Sequence, residues 1–279
     1  MAFDSAMFSQ ACECIKSIEK HSRGAGEVHV LSLGLTRAEV EWLEQNRVGV
    51  RTNPGGFPTY PDAPPYAAAM TCRPWLRELF PGFELYMWID ADIRFAAPDA
   101  FEFYLQTAAA NPQAIVIAQE VDPAYVFVRF PRIARKYHSA KLQRVRATFG
   151  PEAADALAYF NCFNAGVFAL HRDSLIWEKY QANLSHAVKT AFDHMKEQDA
   201  MNLAIVQNEM QVCGAPTIMN WLCSISFPRF NREVSRWVRP TWPALPLSVL
   251  HLTNSNTLVP GRQDGISFYQ LYRQEGLTD

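Results

Sequence analysis

At 279 residues the chain has room for one large α/β domain or two smaller ones, and its 49% apolar residues can supply a sizeable core. With 19% charged residues and a net charge of -2 it reads as a soluble globular protein with no bulk electrostatic attraction for nucleic acid. No apolar run nears the roughly 20 residues of a membrane span, no basic-then-apolar leader opens the chain, and the six cysteines lack C-x-x-C spacing, so a reducing cytoplasm without zinc site or disulfides is expected.

In chain order, residues 27–33 read as a strand, and Thr36 with Glu39 three residues on forms a capping box that opens a helix to about Asn46. Residues 48–51 read as a short strand. A Pro- and Gly-rich loop over 53–65 leads into a helix over 66–80 that Pro74 should kink or restart. A strand then runs to Asp90, and 114–118 and 164–170 are apolar runs of buried-strand length, with a basic, helix-prone segment over 132–149 between them. Residues 173–195 read as a long amphipathic helix and 198–207 as a second. The stretch 228–246 is aromatic and proline-rich without periodicity, which predicts irregular structure, and 247–250 is a last apolar strand. Strands alternating with helices, without repeats or flexible linkers, imply an α/β fold on a mostly parallel central sheet.

The most informative stretch is 85–95, where an apolar strand ends in two carboxylates, Asp90 and Asp92, spaced i, i+2. Ligands bind α/β sheets at the carboxyl ends of strands, and two acids there can hold a hard divalent cation shared with the phosphates of a substrate. Taken alone, the pair suits a solvated turn equally well. His251 follows the 247–250 strand and can add a nitrogen ligand that favours Mn²⁺ over Ca²⁺, although a lone histidine is more often structural. Asn164-Ala165-Gly166 places small residues where a strand meets a ligand, or where a packed strand bulges. Gln198 and Asp199 open a helix, where the dipole favours an acid whether or not it functions. Arg73, a charge in an apolar helix, calls for a phosphate or carboxylate partner, or sits in an ordinary surface ion pair.

Together these motifs resemble the nucleotide-sugar glycosyltransferases of the GT-A type, most of all family 8, the retaining group that contains glycogenin and the bacterial lipopolysaccharide galactosyl- and glucosyltransferases. Trp88-Ile89-Asp90-Ala91-Asp92 is similar to the family's L-D-x-D metal site, and Phe163-Asn164-Ala165-Gly166-Val167-Phe168 to its F-N-A-G-V strand. Glu197-Gln198-Asp199-Ala200-Met201-Asn202 is similar to its D-Q-D-x-x-N helix start, and Leu250-His251-Leu252 to the late strand whose histidine completes the metal shell. The resemblance implies a single GT-A (Rossmann-like) domain over 1–279 with helices on both faces of the sheet, a nucleotide-binding half at 1–120 and an acceptor- and sugar-binding half at 121–279. It implies a UDP-hexose donor, with Mn²⁺ or Mg²⁺ on Asp90, Asp92 and His251. Asp4, Arg73, Asp90, Ala91, Asp92, Ala165 and Gly166 would contact the nucleotide sugar. Gln198 would lie against the anomeric carbon, and Asp199 and Asn164 would meet sugar hydroxyls. The acceptor would be a glycan or glycoconjugate; no nucleic-acid partner and no transmembrane segment are expected, with room for peripheral membrane contact.

Two departures from the family pattern stand out. Only Met1-Ala2-Phe3 precedes Asp4, where the family has a fuller first strand ending in the acid that contacts uracil. Residues 253–257 lack the lysine that holds the leaving phosphate, which makes Arg262, between Gly261 and Gly265, the expected substitute. Retention in a two-step scheme calls for a carboxylate nucleophile, and none is evident, so front-face displacement is expected. The aromatic and basic insert over 125–146, with Trp221, Trp237 and Trp242, is expected on the acceptor side or in the core. Two other readings stay open. One is a non-catalytic domain that binds nucleotide sugar or glycan. The other is a D-x-D-x-T phosphohydrolase with Asp90 as nucleophile, weakened by Arg94 in the Thr position.

Overall fold

The computed structural model describes residues 1–207, 209–253 and 267–274. Its strands are β1 (Ala2–Phe3), β2 (His29–Ser32), β3 (Gly49–Thr52), β4 (Leu85–Ile89), β5 (Ile93–Phe95), β6 (Ile115–Gln119), β7 (Phe163–His171), β8 (Val212–Ala215), β9 (Trp221–Leu222), β10 (Arg229–Asn231), β11 (Arg236–Val238) and β12 (Val249–His251). The α-helices are α1 (Phe8–His21), α2 (Arg37–Gln45), α3 (Ala68–Thr71), α4 (Leu76–Leu79), α5 (Asp99–Ala110), α6 (Val126–Arg129), α7 (Pro131–Phe149), α8 (Pro151–Leu157), α9 (Ile176–Ala187), α10 (Lys196–Gln207) and α11 (Phe268–Gln274).

The strands β1, β2 and β3 pair in parallel. In the four-stranded sheet β4-β7-β6-β8, β4, β6 and β8 share one direction and β7 runs against them. A third sheet, β5-β12-β9, carries His251 next to the D-x-D turn. β7 is buried along its whole length, and the two-residue period of a strand splits its side chains between two cores. Phe168 and Leu170 face a cluster with Trp177 and Tyr180 of α9 and Met201 of α10. Val167 and Ala169 face another with Ile15 and Ile18 of α1 and Tyr104 of α5. Helices therefore cover both faces of the sheet, as expected. Among the described residues no helix is long and apolar enough to cross a membrane.

Local signals explain where the elements end. Thr36 Oγ1 accepts from Glu39 N and Glu39 accepts from Thr36 N, closing the expected capping box on α2. Pro74 restarts the 66–80 segment as foreseen: α3 and α4 are separated by a 3₁₀ turn over Arg73–Trp75. The predicted helix over 173–195 is shorter, because α9 ends at Ala187 and Asp193 then turns the chain, its carboxylate accepting from Met195 N at 2.8 Å just ahead of α10. Residues 228–246 are not wholly irregular. They contain the β10–β11 hairpin, held by an edge-on Phe230–Trp237 contact of 5.3 Å.

A cavity of about 360 Å³ lies between β2 and β4, lined by Met1, Ile18, His29, Phe80, Leu85 and Met87 among others. It is mostly apolar, and none of Asp90, Asp92 and His251 lines it.

Candidate active site

The strand β4 delivers Asp90 at its carboxyl end, and the backbone fixes it there: Asp90 N donates to Gly166 O of β7 at 2.9 Å. Asp92 is anchored by its carbonyl, which accepts from Leu252 N at 3.0 Å. Because β12 pairs with β5 so that His251 faces Ile93, the imidazole comes down between the two acids. His251 Nε2 lies 3.4 Å from Asp92 Oδ1 and 3.8 Å from Asp90 Oδ2, and one ligand atom from each of the three residues falls within 4.8 Å of the others. The other ring nitrogen, Nδ1, pairs with Asn220 Oδ1 at 3.1 Å, so the ring keeps Nε2 turned to the carboxylates. Two oxygens and one nitrogen in this arrangement can hold a divalent cation and leave further coordination positions open.

Gly166 has a specific reason here. A Cβ on this residue would stand 2.2 Å from His251 Cε1. The glycine therefore admits the histidine ring, where the sequence suggested close approach of a ligand.

Burial is the largest influence on each ionisable group of the cluster. It lifts Asp90, against the opposing charge of Arg73. It also pushes Asp92 upward, but the charge and hydrogen bond of His251 outweigh it and hold Asp92 below the usual carboxylate range. Burial lowers His251, and the same pairing with Asp92 more than reverses this, so the imidazole sits above its ordinary value.

Arg73 crosses from the 3₁₀ turn to the foot of this cluster. Its Nη2 donates to Asp90 Oδ1 at 2.8 Å, its Nη1 to Glu197 Oε2 at 2.7 Å, and its guanidinium carbon lies 5.0 Å from the Trp88 ring centroid. Trp88 Nε1 also donates to Asp90 Oδ1, at 2.7 Å, which leaves Oδ2 as the oxygen facing His251. Glu197 is lifted by burial to about 8, Arg73 opposing the rise.

Beside the acids lies a buried array of amides. Asn164 Oδ1 accepts from Asn220 Nδ2 at 2.9 Å and from Gly166 N at 3.0 Å, while its Nδ2 donates to Glu120 Oε1 at 3.0 Å. Gln198 Oε1 accepts from Ala165 N at 3.2 Å, and its Nε2 donates to the same Glu120 oxygen at 3.2 Å. Tyr137 of α7 donates to Glu120 Oε2 at 3.1 Å. Burial raises Glu120, and the bonds from Asn164, Tyr137 and Gln198 oppose it.

The structure thus brings Arg73, Asp90, Ala91, Asp92, Asn164, Ala165, Gly166, Gln198 and His251 into one region. Asp199 is near by, clamped by Arg144 of α7 at 2.5 and 3.0 Å. Asp4 caps the turn Ser5–Met7, accepting from Ala6 N at 3.1 Å. One residue on, Ser5 Oγ donates to Gly34 O, and Gly34 lines a cavity of about 430 Å³ at the carboxyl ends of β2 and β3, with Ser32, Thr52, Asn53 and Tyr60. Arg262 lies outside the described residues. Of the tryptophans, Trp221 and Trp237 are buried in the core and Trp242 is exposed.

Glu120, Asn220, Tyr137 and Arg144 were not singled out from sequence as site residues. Only Glu120 carried a usable signal, an acid just beyond the apolar run 114–118, which is the pattern that marks Asp90.

No protein-family model and no curated protein matches the chain. Solved structures do. The galactosyltransferase LgtC, in complex with donor and acceptor sugar analogues, is similar over 99% of this chain and 94% of its own, at 16% identity and a TM-score of 0.59. Apo mouse xyloside xylosyltransferase 1 is similar over 93% and 98%, at 14% identity and 0.55. The apo WbbM bifunctional glycosyltransferase matches 98% of this chain at 15% identity and 0.58, and the chain spans 48% of its length. The fold is that of the GT-A glycosyltransferases.

Proposed function

We propose that the chain is a metal-dependent retaining glycosyltransferase that moves a hexose from a UDP-sugar to an acceptor hydroxyl. The observation that carries this reading is the convergence of Asp90, Asp92 and His251 on a GT-A fold, directly beside the Asn164–Gln198–Glu120 array. Those three residues would hold Mn²⁺ or Mg²⁺, which when bound supplies positive charge to the leaving diphosphate. The nucleoside would occupy the cavity at the carboxyl ends of β2 and β3, near Asp4.

The sugar would lie against Gln198 and Asn164. Both amides are tied at both ends, so their dipoles are fixed before the substrate arrives, which is the condition for electrostatic stabilisation without reorganisation. Asp199 has lone pairs left for a sugar hydroxyl beside its Arg144 clamp. Glu120 accepts from three donors and is raised by burial, which suits an orienting group better than a free nucleophile. In the resulting front-face step, the acceptor oxygen bonds to the anomeric carbon as the bond to the diphosphate oxygen breaks, and the acceptor proton passes to that oxygen.

The phosphohydrolase reading loses support from Arg94, whose buried guanidinium donates to Glu13 Oε2 at 2.8 Å and to the carbonyls of Ala91 and Ile93. Incubation with labelled UDP-glucose, UDP-galactose and UDP-N-acetylglucosamine plus Mn²⁺ tests the proposal. Release of UDP is expected. Phosphate release from simple phosphoesters would favour the hydrolase, and UDP binding without turnover would favour a non-catalytic domain.

A further inference from the structure

Residues 123–151 hold seven Lys and Arg and no Asp or Glu, in a chain whose net charge is -2. Two of these cations face inward, Lys141 onto the carbonyls of Leu157 and Phe160 and Arg144 onto Asp199, and Arg146 pairs with Asp155. Arg129, Arg132, Arg135 and Lys136 are exposed. Arg132 sits in the first turn of α7, which has no acidic residue, so its charge opposes the positive end of the helix dipole. Local stability does not account for a cation there.

Apolar side chains crowd the same surface. Seven of the twelve large hydrophobic residues exposed among the described residues fall between 121 and 160. Val126, Val128, Phe130 and Ile133 alternate with the cations and are 37%, 42%, 47% and 45% exposed. Tyr159, 95% exposed, and Phe160 lie in a loop tied to α7, where Lys141 bonds the Phe160 carbonyl at 2.8 Å. The segment is anchored rigidly behind: Phe127 stacks on Tyr137 at 4.7 Å, and Tyr137 bonds Glu120 in the candidate site.

We propose that this surface, α6 with the first turns of α7 and the Tyr159–Phe160 loop, docks onto an anionic lipid bilayer. Interleaved Phe, Ile and Val with Arg and Lys is the composition of an interfacial segment, in which rings and branched chains enter the headgroup boundary while the cations meet lipid phosphates. A nucleic acid would use the cations and leave the apolar residues in water. Because α7 also walls the candidate site through Tyr137 and Arg144, docking would hold that site close to the membrane.

Flotation of the full chain with phosphatidylcholine vesicles, with and without 30% phosphatidylglycerol, tests the docking without any donor sugar, so its outcome is separate from that of UDP release. Binding only to the anionic vesicles is expected. Each exposed cation is worth about fivefold in such partitioning, so R132Q/R135Q/K136Q should weaken it by about 100-fold. F130S/I133S should weaken the binding that survives in high salt. Both variants should keep the wild-type circular dichroism and UDP release, since none of these side chains touches the site. Absence of binding to anionic vesicles, binding that the substitutions leave unchanged, or retention on poly(U) RNA in place of vesicles would overturn the proposal.

Discussion

Replacing Arg73 by methionine tests the charge balance at the foot of the site. Arg73 is 7% exposed and its guanidinium bonds both Asp90 and Glu197, so its loss leaves the buried Glu197 and the half-buried Asp90 with no cation between them. Breaking a buried pair in this way costs about 3–5 kcal/mol, a large share of the roughly 5–15 kcal/mol that keeps a protein folded. The cost should depend on pH. Glu197 is held at about 8 against an ordinary value of 4.5, so between these values the folded chain keeps a proton that the unfolded chain has lost. Stability then falls as pH rises through that window, by up to about 1.4 kcal/mol per unit, and the fall ends near the folded value. Without Arg73, which opposes the rise, Glu197 ionises at higher pH still, and the fall continues. Arg73→Met should therefore cost more at pH 9 than at pH 6. Urea unfolding followed by tryptophan fluorescence in EDTA, with an unchanged m-value, reads this directly. A loss below about 1 kcal/mol at both pH values, or an equal loss at the two, would refute the reasoning.

Asp92→Ala should abolish metal-dependent UDP binding and leave the fold intact; equal UDP affinity by calorimetry with and without EDTA in the wild type would contradict this. Gly166→Ala, whose Cβ would meet His251 at 2.2 Å, should push the imidazole aside and weaken Mn²⁺ binding more than it lowers thermal stability; unchanged Mn²⁺ affinity would show that the ring has another place to go. Gln198→Ala should lower turnover by about 10²- to 10³-fold with little change in UDP affinity, and wild-type turnover would reduce the residue to a structural role. Mn²⁺ affinity should fall as pH drops through the raised value of His251, because a protonated imidazole cannot coordinate; a flat profile from pH 6 to pH 8 would remove the histidine from the ligand set.

What sequence revealed here was mostly local. A strand that ends in acids, a capping box at Thr36 and a proline that restarts a helix are written in adjacent residues, and each is found where expected. The reversal of β7 is not local, since an apolar run is equally apolar in either direction and its pairing is settled by strands far away in sequence. The end of α9 was missed because apolar residues continue through Val188 and Phe192 with helical spacing while the chain already turns toward Asp193. Arg144 and Tyr137 were read as part of a basic insert; their contacts to Asp199 and Glu120 span 55 and 17 residues and leave no pattern in the sequence. Asn220 sits in a 3₁₀ cap that nothing local marks as functional.

The path from His251 through Asn220 and Asn164 to Glu120 has a single sense of donation. With the proton on Nδ1, the imidazole donates to Asn220, Asn220 to Asn164, and Asn164 to the glutamate, like dominoes leaning one way. Moving that proton to Nε2 would force Asn220 to turn its amide over. Asn164 would then have to turn as well, and Gly166 N would lose its acceptor. The Nε2 lone pair turned toward Asp90 and Asp92 and the donor aimed at Glu120 are thus two ends of one tautomeric choice, so a substitution at either end is felt at the other.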